Sequence, residues 1–112
     1  MYAQVTVWRL NEAGDSPSNA ASREVAEALR AEPGFRSYTL ARTGTHEVTS
    51  VLLFEEEEQL DAALAKIRSV VHEHVAPLTA GDPERRRGEV VYHVSVARET
   101  AVERRGPTAQ AA

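Results

Sequence analysis

The 112 residues include no cysteine. That removes disulfides, thiolate metal sites and a cysteine nucleophile together, and it fits a reducing compartment. No apolar run approaches the roughly 18–20 residues of a membrane span, and the start has neither a basic stretch nor a long apolar one after it. Charge of one sign does not dominate the chain. Thirteen Lys and Arg are interspersed with seventeen Asp and Glu, for a formal net charge of −4, so the one-sided basic footprint of a nucleic-acid binder is missing. There is no internal repeat and no nucleophile elbow. These absences point to a soluble, cytoplasmic protein that contacts neither membrane nor nucleic acid.

The length is that of one domain, expected over residues 1–97, with a tail over 98–112. Apolar residues make up 42% of the chain, enough for a single core. A domain this small leaves much of its surface wet, so burial against a second copy would help it.

Tyr2–Leu10 alternates with period two, which predicts a strand. Ala3, Val5 and Val7 form one face; Tyr2, Gln4, Thr6, Trp8 and Leu10 form a mixed one. Asn11–Ser18 reads as a polar loop, with Ser16 and Pro17 suited to a helix start. Ala21, Val25, Ala28 and Leu29 then make one helical stripe, stopped by Glu32-Pro33-Gly34. Phe35–Arg42 is a second strand. Thr43-Gly44-Thr45 turns it into Glu47–Phe54 as an antiparallel hairpin. The later half of that third strand is apolar on both faces, so it needs cover on both sides. The acidic run Glu55–Glu58 suits a helix start. Leu60, Ala63, Leu64, Ile67, Val70, Val71, His74 and Val75 extend the helical spacing to Pro77. Thr79–Gly88 reads as a loop and Glu89–Ala97 as the last strand, after which the pattern dissolves.

The order β-α-β-β-α-β is the split, ferredoxin-like arrangement, an α+β fold. Right-handed crossovers place both helices on one face of a four-stranded antiparallel sheet. The other face is left bare, with Trp8 or Val7, Tyr38 or Thr39, members of Val51–Phe54, and Val91 or Tyr92 as its candidates. An exposed apolar face of that size predicts a partner, and two-fold pairing of sheets into a homodimer is the simplest one.

Glu32-Pro33-Gly34-Phe35 and the step Leu53-Phe54-Glu55 leading to Leu60 carry a family likeness over about residues 2–97. The chain resembles the dimeric α/β-barrel superfamily, and within it the antibiotic-biosynthesis-monooxygenase-like proteins, which typically have a Pro-Gly-Phe at the first site and an aromatic-acidic step at the second. The resemblance implies a small hydrophobic or aromatic ligand and, in its oxygenase members, oxidation of an aromatic polyketide without flavin, metal or other cofactor, through the substrate's own carbanion. It implies that Trp8 and Tyr38 line the pocket and that His72 or His93 takes a proton. The haem-degrading branch has an asparagine in the first strand, a tryptophan in the third and a histidine on the second helix. Here only the last has a match, in His72 or His74, which argues against that activity. Fold alone does not establish catalysis, so a non-catalytic ligand-binding or stress-type dimer stands beside the oxygenase. An interaction module recruiting a partner through the tail after Arg98 or through an exposed sheet edge is a third reading.

From the residues themselves, Trp8, Tyr38, Tyr92 and His93 are the candidates for ligand contact. The mixed face around Trp8 suits a small pocket; the same tryptophan would also serve in an interface. His93, beside Ser95 in an apolar strand, is a candidate general base by its side-chain type, or it is a satisfied core or interface histidine. No metal site is expected: His72 and His74 sit about 200° apart around a helix, and His46 lies by a turn. Arg85-Arg86-Arg87 would grip an anionic ligand or remain a solvated loop.

Overall fold

Leu52 and Leu53 are neighbours in the sequence and lie on opposite faces of a sheet, which divides the molecule. The computed structural model describes residues 1–12 and 20–96. The elements are β1 (Tyr2–Arg9), α1 (Ala20–Arg30), β2 (Phe35–Gly44), β3 (Glu47–Phe54), α2 (Glu57–Lys66) and β4 (Glu84–Glu89). All strand pairs are antiparallel, in the order β2-β3-β1-β4. This is the expected ferredoxin-like α+β arrangement, with the most apolar strand, β3, in an interior position.

On the helical side, Leu52 and Phe54 of β3 pack with Val25 and Leu29 of α1, with Leu60 and Ala63 of α2, and with Ile67. Phe35 meets Phe54 edge-to-face, ring centroids 5.8 Å apart. The Pro33-Gly34-Phe35 corner that sets this pair has a physical cause. Gly34 takes φ +82°, and a Cβ there would overlap the Gln59 side-chain amide. That amide oxygen accepts the Glu56 backbone N–H at the start of α2, while the Gly34 carbonyl accepts from the Glu55 N–H at 2.8 Å. Only glycine supplies both the left-handed backbone and the empty space.

The opposite face carries Ala3, Val5 and Val7 of β1, Val51 and Leu53 of β3, and Thr39 and Ala41 of β2, aligned across the sheet by its register. None of them joins or packs on the core cluster. The alternatives left open by the strand pattern thus resolve: Val7 and Thr39 look away from the helices, Trp8 and Tyr38 toward them.

Two expectations are corrected. The helix predicted to run through Val75 is regular only to Lys66. Ile67 leaves helical geometry (φ −89°, ψ 4°). A short α turn, Arg68–Val70, leads into a wide turn, Val71–Val75, and a tight one, Ala76–Leu78. β-branched residues crowd this stretch. Pro77 cannot donate to the carbonyl four residues back, and the preceding N–H, of Ala76, bonds instead to the Val71 carbonyl five residues back.

The second correction concerns the last strand, which is Glu84–Glu89 and not Glu89–Ala97. Its register fixes it: Val7 faces Glu84 and Tyr2 faces Glu89, and one further bond runs from the Val90 N–H to the Met1 carbonyl. Residues 91–96 have passed the end of β1 and join no strand. Val91, Tyr92, Val94 and Val96 are consequently exposed, Val91 to 94% and Tyr92 to 83%. Tertiary pairing, helped by arginine contacts described below, outweighs β-propensity here. The helix start at Ser16-Pro17 and the tail over 98–112 lie outside the described residues. Among the described residues no helix is long and apolar enough to cross a membrane.

Candidate functional site

Strand alternation lays cross-strand rows on the helical face of the sheet, and three of them meet at one place. Arg85, Thr6, Ser50 and Leu40 form one; Arg87, Gln4, Leu52 and Tyr38 the next; Trp8, Val48 and Arg42 the third. All of these residues line a cavity of about 800 Å³. Its roof is Val25 and Leu29 from α1, Asp61 and Leu64 from α2, and Ile67, Arg68, Val71, His72 and Val75 from the irregular turns that follow. Had α2 continued straight, this roof would be a different surface; the break at Ile67 therefore belongs to the site.

The floor is polar where a core would be apolar. Gln4, Thr6 and Ser50 are 8%, 3% and 6% exposed. Burying such groups beneath helices is costly unless they are hydrogen-bonded. Ser50 Oγ accepts the Trp8 indole N–H at 3.3 Å. Gln4 Oε1 accepts two N–H groups from Arg87, at 2.9 and 3.2 Å. Arg87 also donates to Asp61 at 2.6 Å and reaches Glu57 at 3.4 Å. The bond to Asp61 raises the guanidinium pKa above its ordinary value despite partial burial. Because the Gln4 oxygen is taken by a fork that can only donate, its amide N–H groups are left for the cavity. Burial likewise pushes the Tyr38 phenol pKa upward, which keeps its proton in place as a donor.

The expected site residues divide. Trp8, Tyr38 and His72 come together around this one cavity. Tyr92 and His93 do not line it within a single chain; they stand exposed on the segment past β4. His74 approaches Glu73, Nε2 to carboxylate 3.6 Å, and His46 sits in the β2–β3 turn. Among the described residues no group of three or more histidines and carboxylates could hold a metal ion. The arginine triplet, expected in a loop, is strand: Arg85 and Arg87 line the cavity, and Arg86 pairs with Glu84 at 3.3 Å. The sequence put Gln4 and Thr6 on the face of Trp8, but the pairing of Gln4 with Arg87 spans too much chain to be read there.

The chain resembles, in its fold, a group of solved structures. A protein of unknown function from Nitrosomonas europaea superposes with TM-score 0.73 at 15% identity, over 86% of this chain and 94% of that one. The cofactor-independent oxygenase SnoaB from Streptomyces nogalater, as its N63A mutant, gives 0.70 at 14%, over 83% and 95%. A protein named for antibiotic biosynthesis monooxygenase from Chloroflexus aurantiacus gives 0.67 at 18%, over 86% and 98%. Several others carry the same monooxygenase name. No family profile matches the sequence, and no curated protein does. The likeness establishes the fold.

Proposed function

We propose that the chain is a cofactor-independent monooxygenase acting on a small aromatic, polyketide-like substrate. The observation that carries this is the cavity itself: apolar walls, Trp8 and Tyr38 across the sheet, and a floor of buried amide and hydroxyl groups, on a fold shared with an oxygenase of that class. Such a cavity holds a flat ring system and offers hydrogen bonds to its oxygens. His72, at the cavity wall, accepts a proton from an activated CH2 of the substrate. The carbanion then reduces oxygen, and the hydroperoxide collapses to a carbonyl and water, so that CH2 and O2 become C=O and H2O. The Tyr38 phenol and Gln4 amide donate to the enolate oxygen and stabilise the charge as it forms.

The assembly proposed with it is a homodimer. Ala3, Val5, Val7, Thr39, Ala41 and Val51 make an uncharged patch, and the charges that border it are already paired, Arg86 with Glu84 beside Val5 and Val7 at 3.3 Å and Arg9 with Glu47 at 2.9 Å. A second copy of the same face fits such a surface. Val91, Tyr92, Val94 and Val96, past the end of β4 with their side chains in water, add strand-forming apolar surface for that copy. Tyr92 and His93 would then meet the partner.

The test is oxygen uptake with a panel of polycyclic phenols and anthrones. Turnover by the protein, reduced at least about tenfold in His72→Ala, is the expected result. Binding across the panel without oxygen uptake would instead leave a ligand-binding protein.

A further inference from the structure

The chain as a whole is acidic, yet its cavity is not. Among the described residues four arginines line it, Arg42, Arg68, Arg85 and Arg87, against two aspartates, Asp61 and Asp82, and no glutamate. On a molecule of net charge −4, that is a local reversal of sign. Arg87 is consumed by Asp61, Glu57 and Gln4. The side chains of Arg68 and Arg85 make no hydrogen bond or ion pair with any described residue. Arg85 also heads the row that continues through the Thr6 and Ser50 hydroxyls, so a cation and two hydroxyls follow one another from the sheet edge inward. The Gln4 amide donors lie on the adjoining row. Arg85, Thr6, Ser50 and the Gln4 amide can each donate to an oxygen anion, Asp61 being engaged by Arg87, and low-dielectric walls concentrate the field of the arginines.

We infer that the ligand is an aromatic acid: an apolar ring system with one anionic oxygen group, carboxylate or acidic phenol, directed to Arg85 and Thr6, with Arg68 reinforcing the charge. This rests on the pocket reading above and adds its charge selectivity.

Trp8 is the sole tryptophan and lines the cavity, so its fluorescence reports occupancy directly. The probes are 2-naphthoate and its neutral isostere 2-naphthamide. The naphthoate should bind about tenfold more tightly at low ionic strength, and a rise to about 0.5 M salt should shrink the difference. The double variant Arg68→Gln/Arg85→Gln should bind the two probes alike while keeping its affinity for the amide. Equal binding by the unmodified protein, or a preference that the double variant keeps, overturns the charge inference and leaves the pocket intact. Failure of both probes to saturate the Trp8 signal overturns the pocket reading and this inference with it.

Discussion

Arg87 and Gln4, 83 positions apart in the sequence, are joined by two hydrogen bonds from one guanidinium to one amide oxygen. The pair ties the edge strand β4 to β1, and its third arm ties β4 to α2 through Asp61. It is therefore a fastener between three elements and a part of the cavity floor. Arg87→Ala leaves the Gln4 oxygen without its donors and should cost about 1–3 kcal/mol, since a buried acceptor then goes unsatisfied. Urea denaturation measures this. Arg87→Lys retains the charge toward Asp61 but cannot fork, so it should recover only part of the loss. Full recovery by lysine would show that charge alone matters.

Adjacent residues of β3 should respond in opposite ways to the same change. Leu52 is 5% exposed within the core, and Leu52→Asp should cost several kcal/mol, enough to unfold most of the protein. Val51 faces away from the helices. Val51→Asp should leave circular dichroism and the ligand response of Trp8 in place while breaking the proposed dimer, so that sedimentation at micromolar concentration gives a 12.3 kDa species. If Val51→Asp unfolds the chain as Leu52→Asp does, the second face is not a surface for association.

Tyr38 predicts an alkaline effect. Its phenol pKa is raised in the folded state by burial, so the fold holds a proton that the unfolded chain releases near pH 10. The contribution of this group to stability is complete below that pH and is lost as pH climbs from there through the folded-state value. Absorbance titration near 295 nm should contain a delayed phenol step, and stability should decline above about pH 10. Tyr38→Phe should remove the delayed step and flatten this part of the decline. An unchanged titration in the variant would assign the delay elsewhere.

Gly34 should be intolerant of even a methyl group. Gly34→Ala adds a Cβ to a left-handed residue and drives it into the Gln59 amide, which holds the first turn of α2. A loss of about 1–3 kcal/mol is expected, read as a lowered melting temperature. Combining it with Gln59→Ala relieves the collision but not the backbone strain, so the double variant should recover part of the loss only. A neutral Gly34→Ala would mean that the Pro-Gly-Phe corner is not conformationally demanding.

Much of this architecture is legible in local chemistry alone. Period-two alternation locates β1, β2 and β3, the Pro-Gly stop ends α1, and the mixed face of Gln4, Thr6 and Trp8 marks the cavity floor. What escapes is decided by long-range pairing. Arg85-Arg86-Arg87 has weak strand character, and Val90–Val96 has strong strand character; yet the former pairs with β1 because the fork on Gln4 and Asp61 holds it there. The same displacement carries Tyr92 and His93 away from a cavity that Trp8, Tyr38 and His72 share. The break in α2 at Ile67 escapes too, since hydrophobic spacing runs unbroken through it while the backbone does not.

That displaced segment supplies the last prediction. Val91 and Val94 have almost no contact within their own chain, at 94% and 74% exposed, so Val91→Lys/Val94→Lys should alter the stability of a single chain by no more than about 0.5 kcal/mol per site. A valine-rich segment nevertheless has a propensity for strand, and among the described residues it joins none. If a second copy takes it up, the two lysines set charge into that contact and should weaken dimerisation markedly, seen as a concentration-dependent shift toward the single chain in sedimentation. The variant should also lose the dependence of melting temperature on protein concentration that a dimer confers. Unchanged association would separate the segment from the interface, and would leave the open sheet face, tested through Val51, as the only surface proposed to hold the two copies together.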